Sequence, residues 1–280
     1  MHDFGMKSRR PPPRTPVASP STPIVDGSPT AQQTAYLTLR DAVLCGLFLP
    51  GEPVTLRSLT ERLNLGAMPV REALTRLIAE GAFEALPNHS ARVPLISAEE
   101  VRQIMVLRLQ LESQALRSAA DHLSKHRLDE LELMAERMRR LDFPREVTEF
   151  ARLNKQFHFG LYVEARNEPL LKLIEYLWLR MASTVYAVGV FASLGAQRSR
   201  NAANQLQASH NHQRIISALR AHDVDAAVAA LADDLSVLRG APDIDNVLEA
   251  RRQEVLAKQT RKRRAPRAVA APSARTTRKR

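Results

Sequence analysis

Residues 63–83 read LNLGAMPVREALTRLIAEGAF. Val70, Ala73, Leu74, Leu77 and Ile78 recur at helical intervals and form one apolar stripe. Arg71, Thr75 and Arg76 fall on the opposite side. Pro69 stands in the first turn, where its fixed φ and missing N–H are tolerated. Taken alone, the stretch is either an amphipathic helix with a solvated outer face or a helix whose outer face reads a ligand. Its neighbours decide between the two.

Upstream, Tyr36, Leu39, Val43, Leu44 and Leu47 share a helical face that runs out at FLPGEP, a proline–glycine turn. Leu56, Leu59 and Leu63 predict a short second helix ending near NLG. Downstream, FEALPNHSARVPL has two short extended runs about a Pro-Asn turn signal, the pattern of a β-hairpin. Helix, helix, three-residue turn, helix and hairpin is the order of a winged helix-turn-helix, placed at 34–95. Residues 1–33, rich in Pro, Ser and Thr, read as a disordered basic arm, because they offer too little apolar surface to offset chain entropy.

Beyond Ser97, which is expected to cap a long helix through a capping box with Glu100, the period stays helical to about residue 240. The expected helices are 97–123, 124–142, 145–166, 168–195, 199–222 and 224–239. Residues 97–240 thus form an all-helical domain with helices long enough for a bundle, and the fold class is mainly α. Residues 241–280 read as a basic tail, of which 258–280 is most simply a disordered cationic extension.

The formal charge of +11 is matched by the last thirty residues of that tail alone. Residues 251–280 hold twelve Lys/Arg against one acid, so the folded body is close to neutral and the high isoelectric point reports on the termini. The single cysteine, Cys45, sits in an apolar run and reads as a buried thiol. The N-terminus has no apolar core of a secretory signal. The uncharged stretch 181–197 is too short and too rich in Ala, Ser, Thr and Gly to span a bilayer, so no membrane partner and a cytoplasmic location are expected.

In a helix-turn-helix the N-terminal residues of the second paired helix meet base edges. Those residues are Gly66, Ala67, Met68, Pro69 and Arg71, with Arg76 further along the same outer side. Arg71 suits a guanine edge or a phosphate, and Arg57, starting the preceding helix, suits a phosphate. Asn88, His89 and Arg92 are placed as the tip of a wing. Any one of these side chains is as well read as simply solvated; it is the order of elements that gives them a partner, double-stranded DNA.

The same region resembles the N-terminal domain of the GntR family of bacterial transcription regulators. The resemblance rests on the Gly46, Leu49, Pro50, Gly51 turn, on PVREAL.RL..EG from Pro69 to Gly81, and on Asn88, Arg92 and Val93 of the wing. The helical region after the wing looks like the ligand-binding domain of the FadR subfamily. By this resemblance Arg57 and Arg71 match positions that contact operator DNA. Members commonly carry Ser-Arg-Thr before PVREAL, where this chain has Gly66-Ala67-Met68. An arginine contact is therefore missing at Ala67, Gly66 has no side chain to cap the helix, and Ser90 replaces the wing's usual glycine.

In the helical domain, Asn154 and His158 lie four apart on one helix face, His212 lies on a later helix, and Asp233 and Asp234 on the last. Converging side chains of this kind hold metals in bundles, though a lone helical histidine is more often structural. The resemblance implies a site in which an Asp and three His bind the metal. His158 and His212 match two of them, Asn154 stands at the Asp position and Asp234 at the last His position. The implied set is Asn154, His158, His212 and Asp234, with Zn²⁺, Ni²⁺ or Mn²⁺ as candidate ions. The competing reading is a metal-free pocket in which Asn154, His158 and His212 bind the effector directly. Arg108 matches a position facing this cavity; it would suit a carboxylate effector, or else pairs with a neighbouring acid.

These observations lead to a ligand-responsive transcriptional regulator, a repressor by resemblance. It is expected to act as a homodimer on a palindromic operator, with a small organic or sugar acid as effector and no enzymatic activity. The alternatives are a metal-dependent hydrolase, for which no general base beside an open coordination position is evident, and an architectural protein coating DNA through its basic tail.

Overall fold

The computed structural model describes residues 29–87, 90–142, 145–194, 210–239 and 244–264. Helix α1 (Ala31–Leu44) starts three residues before the expected point, because Thr30 and Gln33 form a reciprocal capping box. It buries Ala35, Leu39, Ala42, Val43 and Leu44. The chain then turns through Gly46 and Gly51, both at positive φ (68° and 71°), into a two-residue strand β1 (Pro53–Val54). A second capping box, Thr55 with Ser58, opens α2 (Leu56–Leu63), which Asn64 ends in the left-handed region at φ 52°.

Three residues later α3 begins (Ala67–Ala79). Its N-cap, Gly66, makes no side-chain bond, as expected from the missing hydroxyl. Val70, Ala73, Leu74 and Leu77 are buried against α1, which confirms the inward stripe. Strands β2 (Glu84–Leu86) and β3 (Ser90–Arg92) make the hairpin, and β1 adds to β3 to give an antiparallel sheet of order β1-β3-β2. The third strand escapes the sequence reading because two residues carry no visible alternation.

The remaining helices are α4 (Ala98–Ala119), α5 (Lys125–Arg140), α6 (Val147–Tyr162), α7 (Glu168–Leu194), α8 (210–220), α9 (Val224–Arg239) and α10 (Ile244–Arg264), with a 3-10 turn at Val163–Ala165. Helix α4 is central and packs against α6, α7 and α9. Ser97 accepts a bond from the Glu100 amide as expected, but Glu100 does not complete the box. Its carboxylate is taken by Arg180 of α7 at 2.8 Å. The larger correction is α10: the basic tail is helical from Ile244 to Arg264, into the stretch read as a disordered extension from 258, and its buried Leu248, Arg251 and Val255 show why. Packing against the body, and not the intrinsic pattern of a charge-rich sequence, holds it.

One apolar core runs from Ala35 of α1 to Leu248 of α10, so the two halves of the chain share buried surface. Helix α7 forms much of the junction. Its Glu175 pairs with Arg40 at 2.7 Å, and Tyr176 covers Gly81, the turn that ends α3. Cys45 is buried as expected, which pushes its thiol pKa up. Among the described residues no helix is long and apolar enough to cross a membrane.

Candidate DNA-binding face and buried histidine–aspartate centre

On the outer side of the helix-turn-helix, Arg57 and Met68 are 88% and 63% exposed, and Arg71 is exposed too. Arg57 lies against Glu61 at 2.8 Å. Among the described residues the Arg71 guanidinium has no ion pair or hydrogen bond, so it is presented free at the first turns of α3. Two other candidates are engaged within the domain. Arg76 bonds Glu80 at 2.9 Å and lies over the Tyr36 ring at 3.7 Å. Arg92 pairs across the hairpin with Glu84 at 2.8 Å, because the register sets Leu86 opposite Ser90 nearest the tip and Glu84 opposite Arg92 away from it. Arg92 therefore braces the base of the wing instead of forming its tip. Asn88 and His89 lie outside the described residues.

In the helical domain three of the four expected ligands converge. His158 (α6), His212 (α8) and Asp234 (α9) bring candidate ligand atoms within 4.8 Å of one another. His158 Nε2 is 3.2 Å from Asp234 Oδ2, and His212 Nε2 is 3.4 Å from Asp234 Oδ1. Asn154, half-buried, lies one helical turn before His158. Asp233 does not join the centre; it is exposed and pairs with Arg214 at 2.6 Å.

A second buried cluster, which the sequence reading did not assemble, fixes how His158 is used. Glu112 of α4 is fully buried and accepts from Arg108 Nε at 2.5 Å, Tyr162 Oη at 2.5 Å and Trp178 Nε1 at 3.0 Å. Because the Tyr162 hydroxyl proton goes to Glu112, its oxygen is left to accept from His158 Nδ1, 3.1 Å away. His158 Nε2, on the other side of the ring, stands toward Asp234. A histidine whose far nitrogen is fixed by an outer partner is prepared to ligate. Arg108 itself is not free for a carboxylate effector: Glu112 takes its fork, and its guanidinium lies 4.3 Å over the Trp178 ring.

Burial lowers the His158 pKa despite the nearby Asp234. Burial alone would raise the Asp234 carboxyl, but the facing imidazoles outweigh it and hold the group well below the ordinary carboxylate range. His212 is wholly buried, yet among the described residues neither ring nitrogen has a well-formed hydrogen-bond partner, its Nε2 standing 3.4 Å from Asp234 Oδ1. Two imidazoles with available nitrogens beside one anionic oxygen fit a divalent cation better than they fit a self-satisfied core.

The family model for bacterial regulatory proteins of the gntR family matches residues 31–93, and that for the FCD domain matches residues 103–236. This chain belongs to the GntR family, in its FCD-bearing branch. Relatives include the regulator McbR of Escherichia coli K12, 25% identical over 195 residues, covering 70% of this chain and 85% of that protein. The repressor RspR of the same organism is 29% identical over 130 residues, covering 46% and 57% of the two chains. The solved structure of E. coli McbR/YncC matches with a TM-score of 0.64 at 20% identity, over 82% of this chain and 99% of that one. That likeness carries the fold.

The GntR-family chain is accordingly a DNA-binding transcription regulator and not an enzyme. Hydrolase and DNA-coating alternatives find no support among these relatives. Family membership makes double-stranded DNA, a second copy of the chain and a small-molecule effector its partners. The three residues missed in the sequence, Glu112, Tyr162 and Trp178, had a partial signal. Arg108–Glu112 and His158–Tyr162 are each four apart, and Trp178 is the chain's single tryptophan.

Proposed function

We propose that the dimer represses transcription by binding a palindromic operator, with Arg57, Met68 and Arg71 making the primary contacts in each half-site. The observation that carries this reading is the unengaged Arg71 at the exposed start of α3, beside an apolar face wholly committed to the core. Arg57 approaches the phosphates after exchanging Glu61, a pair exposed enough to give way. Asn88 and His89 belong to the wing's reach, while Arg76 and Arg92 hold α3 and the wing in shape. The division into an arm (1–33), a DNA-binding unit (34–95), an effector and dimerisation unit (97–240) and a basic C-terminal segment (241–280) is part of the same proposal.

Selection from a random duplex pool, followed by footprinting upstream of the chain's own gene, tests it. A short protected palindrome is expected; uniform, sequence-blind protection refutes specific regulation.

His158, His212 and Asp234 would hold a divalent metal, Zn²⁺, Ni²⁺ or Mn²⁺, with Asn154 beside them. Bound there, such an ion supplies an electrophilic centre for an oxyanion, which suits a small organic or sugar acid as effector. The residues of the chain do the rest. Tyr162 holds the His158 ring, Glu112 anchors Tyr162 and Trp178, and Arg108 neutralises Glu112 without contacting the acid directly. Trp178 lies on α7, whose Glu175, Tyr176 and Arg180 abut the DNA-binding unit. An effector that prefers one placement of α7 thereby shifts the population of DNA-competent dimers, to the extent of that preference.

A further inference from the structure

Helix α10 lies outside both matched segments, which end at residues 93 and 236. Its buried residues, Leu248, Arg251 and Val255, fall at i, i+3 and i+7 and make one face, while Glu249, Arg252 and Gln253 are exposed. That face bridges the two units. In the first turn Asp245 meets Arg102 of α4 at 3.4 Å, and Leu248 enters the common core. Two turns later Arg251 Nε donates to the Pro50 carbonyl at 2.9 Å while its Nη1 donates to Glu254 at 2.6 Å. Val255 lies on Gly51 so closely that a Cβ there would meet Val255 Cγ2 at 2.8 Å, and Gly51 also requires its positive φ of 71°.

The contact point lies at the covalent hinge. Gly51 N donates to Val93 O, and Val93 N to Glu52 O, each at 3.0 Å, so the turn gripped by α10 is tied to the last residue before the Pro94–Ser97 linker. It is the end of the sheet away from the wing tip, because Ser90, at the other end of β3, begins the tip. Helix α7 braces the α1 and α3 side of the same unit through Glu175, Tyr176 and Arg180. Two braces on different sides fix a tilt that one brace and a four-residue linker would leave free.

We infer that Arg251 and Val255 are positioning residues for operator recognition: through Pro50 and Gly51 they set the orientation of the winged helix-turn-helix on the effector domain. They touch no DNA. Their effect is on the spacing at which two recognition helices meet a palindrome, and this part rests on the proposed dimeric operator binding.

The test uses the full chain with Cys45→Ala and spin labels at Glu61→Cys (α2) and Arg139→Cys (α5), diluted with unlabelled protein so that distances within one chain are read. The parent and an Arg252→Ala control are expected to give one narrow distance. Arg251→Ala and Val255→Asp are expected to give a broader distribution at unchanged helix content. Distributions in both variants that coincide with the parent, or equal broadening in Arg252→Ala, overturn the inference. With the selected palindrome, Arg251→Ala should bind the preferred spacing about tenfold more weakly. It should also discriminate less against duplexes with one base pair added or removed between half-sites. Failure to select any palindrome counts against the proposed operator binding and leaves the distance measurement to decide the role of α10.

Discussion

Two arginine–glutamate pairs in this regulator have the same spacing and opposite surroundings. Arg57 and Glu61, on α2, are 88% and 63% exposed; Arg108 and Glu112, on α4, are 5% and 0% exposed. In water the first pair contributes about 0.5 kcal/mol or less, so Arg57 is free to leave Glu61 for a phosphate. The second has lost its solvent and must be satisfied from within, and it is: Tyr162 and Trp178 complete the shell of Glu112. One spacing thus serves a surface that exchanges partners and a core that cannot.

The sharpest way to break the comparison is at Glu112. Glu112→Ala leaves a buried guanidinium unpaired and strips Tyr162 and Trp178 of their acceptor, so unfolding free energy should fall by about 3–5 kcal/mol. Denaturant titration measures it; a loss under about 1 kcal/mol would mean the cluster is not dry. Next in size is the metal centre. Zn²⁺, Ni²⁺ or Mn²⁺ present at a hundredfold over its dissociation constant should stabilise the protein by about 2.7 kcal/mol. Asp234→Asn and His212→Ala should abolish that gain in thermal melts, and an equal gain in the variants would place the ion elsewhere.

Tyr162→Phe should weaken metal binding by roughly tenfold in calorimetry while leaving the ligands in place, because His158 loses its outer partner. The smallest effect belongs to the exposed pair. Glu61→Ala should change stability by about 0.5 kcal/mol or less. It should tighten operator binding slightly, by freeing Arg57.

The DNA-binding unit was legible because its signals are local. The stripe Val70, Ala73, Leu74, Leu77, the Pro50–Gly51 turn and the Pro87 hairpin each fall within a few residues, and the packing confirms them. The histidine–aspartate centre was legible as a set of candidates, because His158, His212 and Asp234 lie on regular helices. Its geometry was not, since it depends on three helices meeting. Arg92 was misread as wing tip because one residue of register decides whether it faces Glu84 or the duplex. Helix α10 was missed for a physical reason too. Its segment is dominated by charge, and its anchoring residues mean something only against distant partners, as Arg251 does against Pro50, about two hundred residues earlier in the chain.

The proposed operator binding requires the exposed side of α2 and α3 to read a duplex. Fluorescence anisotropy of a labelled operator with the Arg57→Ala/Arg71→Ala double variant tests it most directly, alongside Arg76→Ala, whose guanidinium is already held by Glu80 and Tyr36. The double variant, folded by circular dichroism, should lose roughly tenfold or more in affinity and show a shallower salt dependence, with Arg76→Ala affected far less. Operator binding unchanged in the double variant would contradict it.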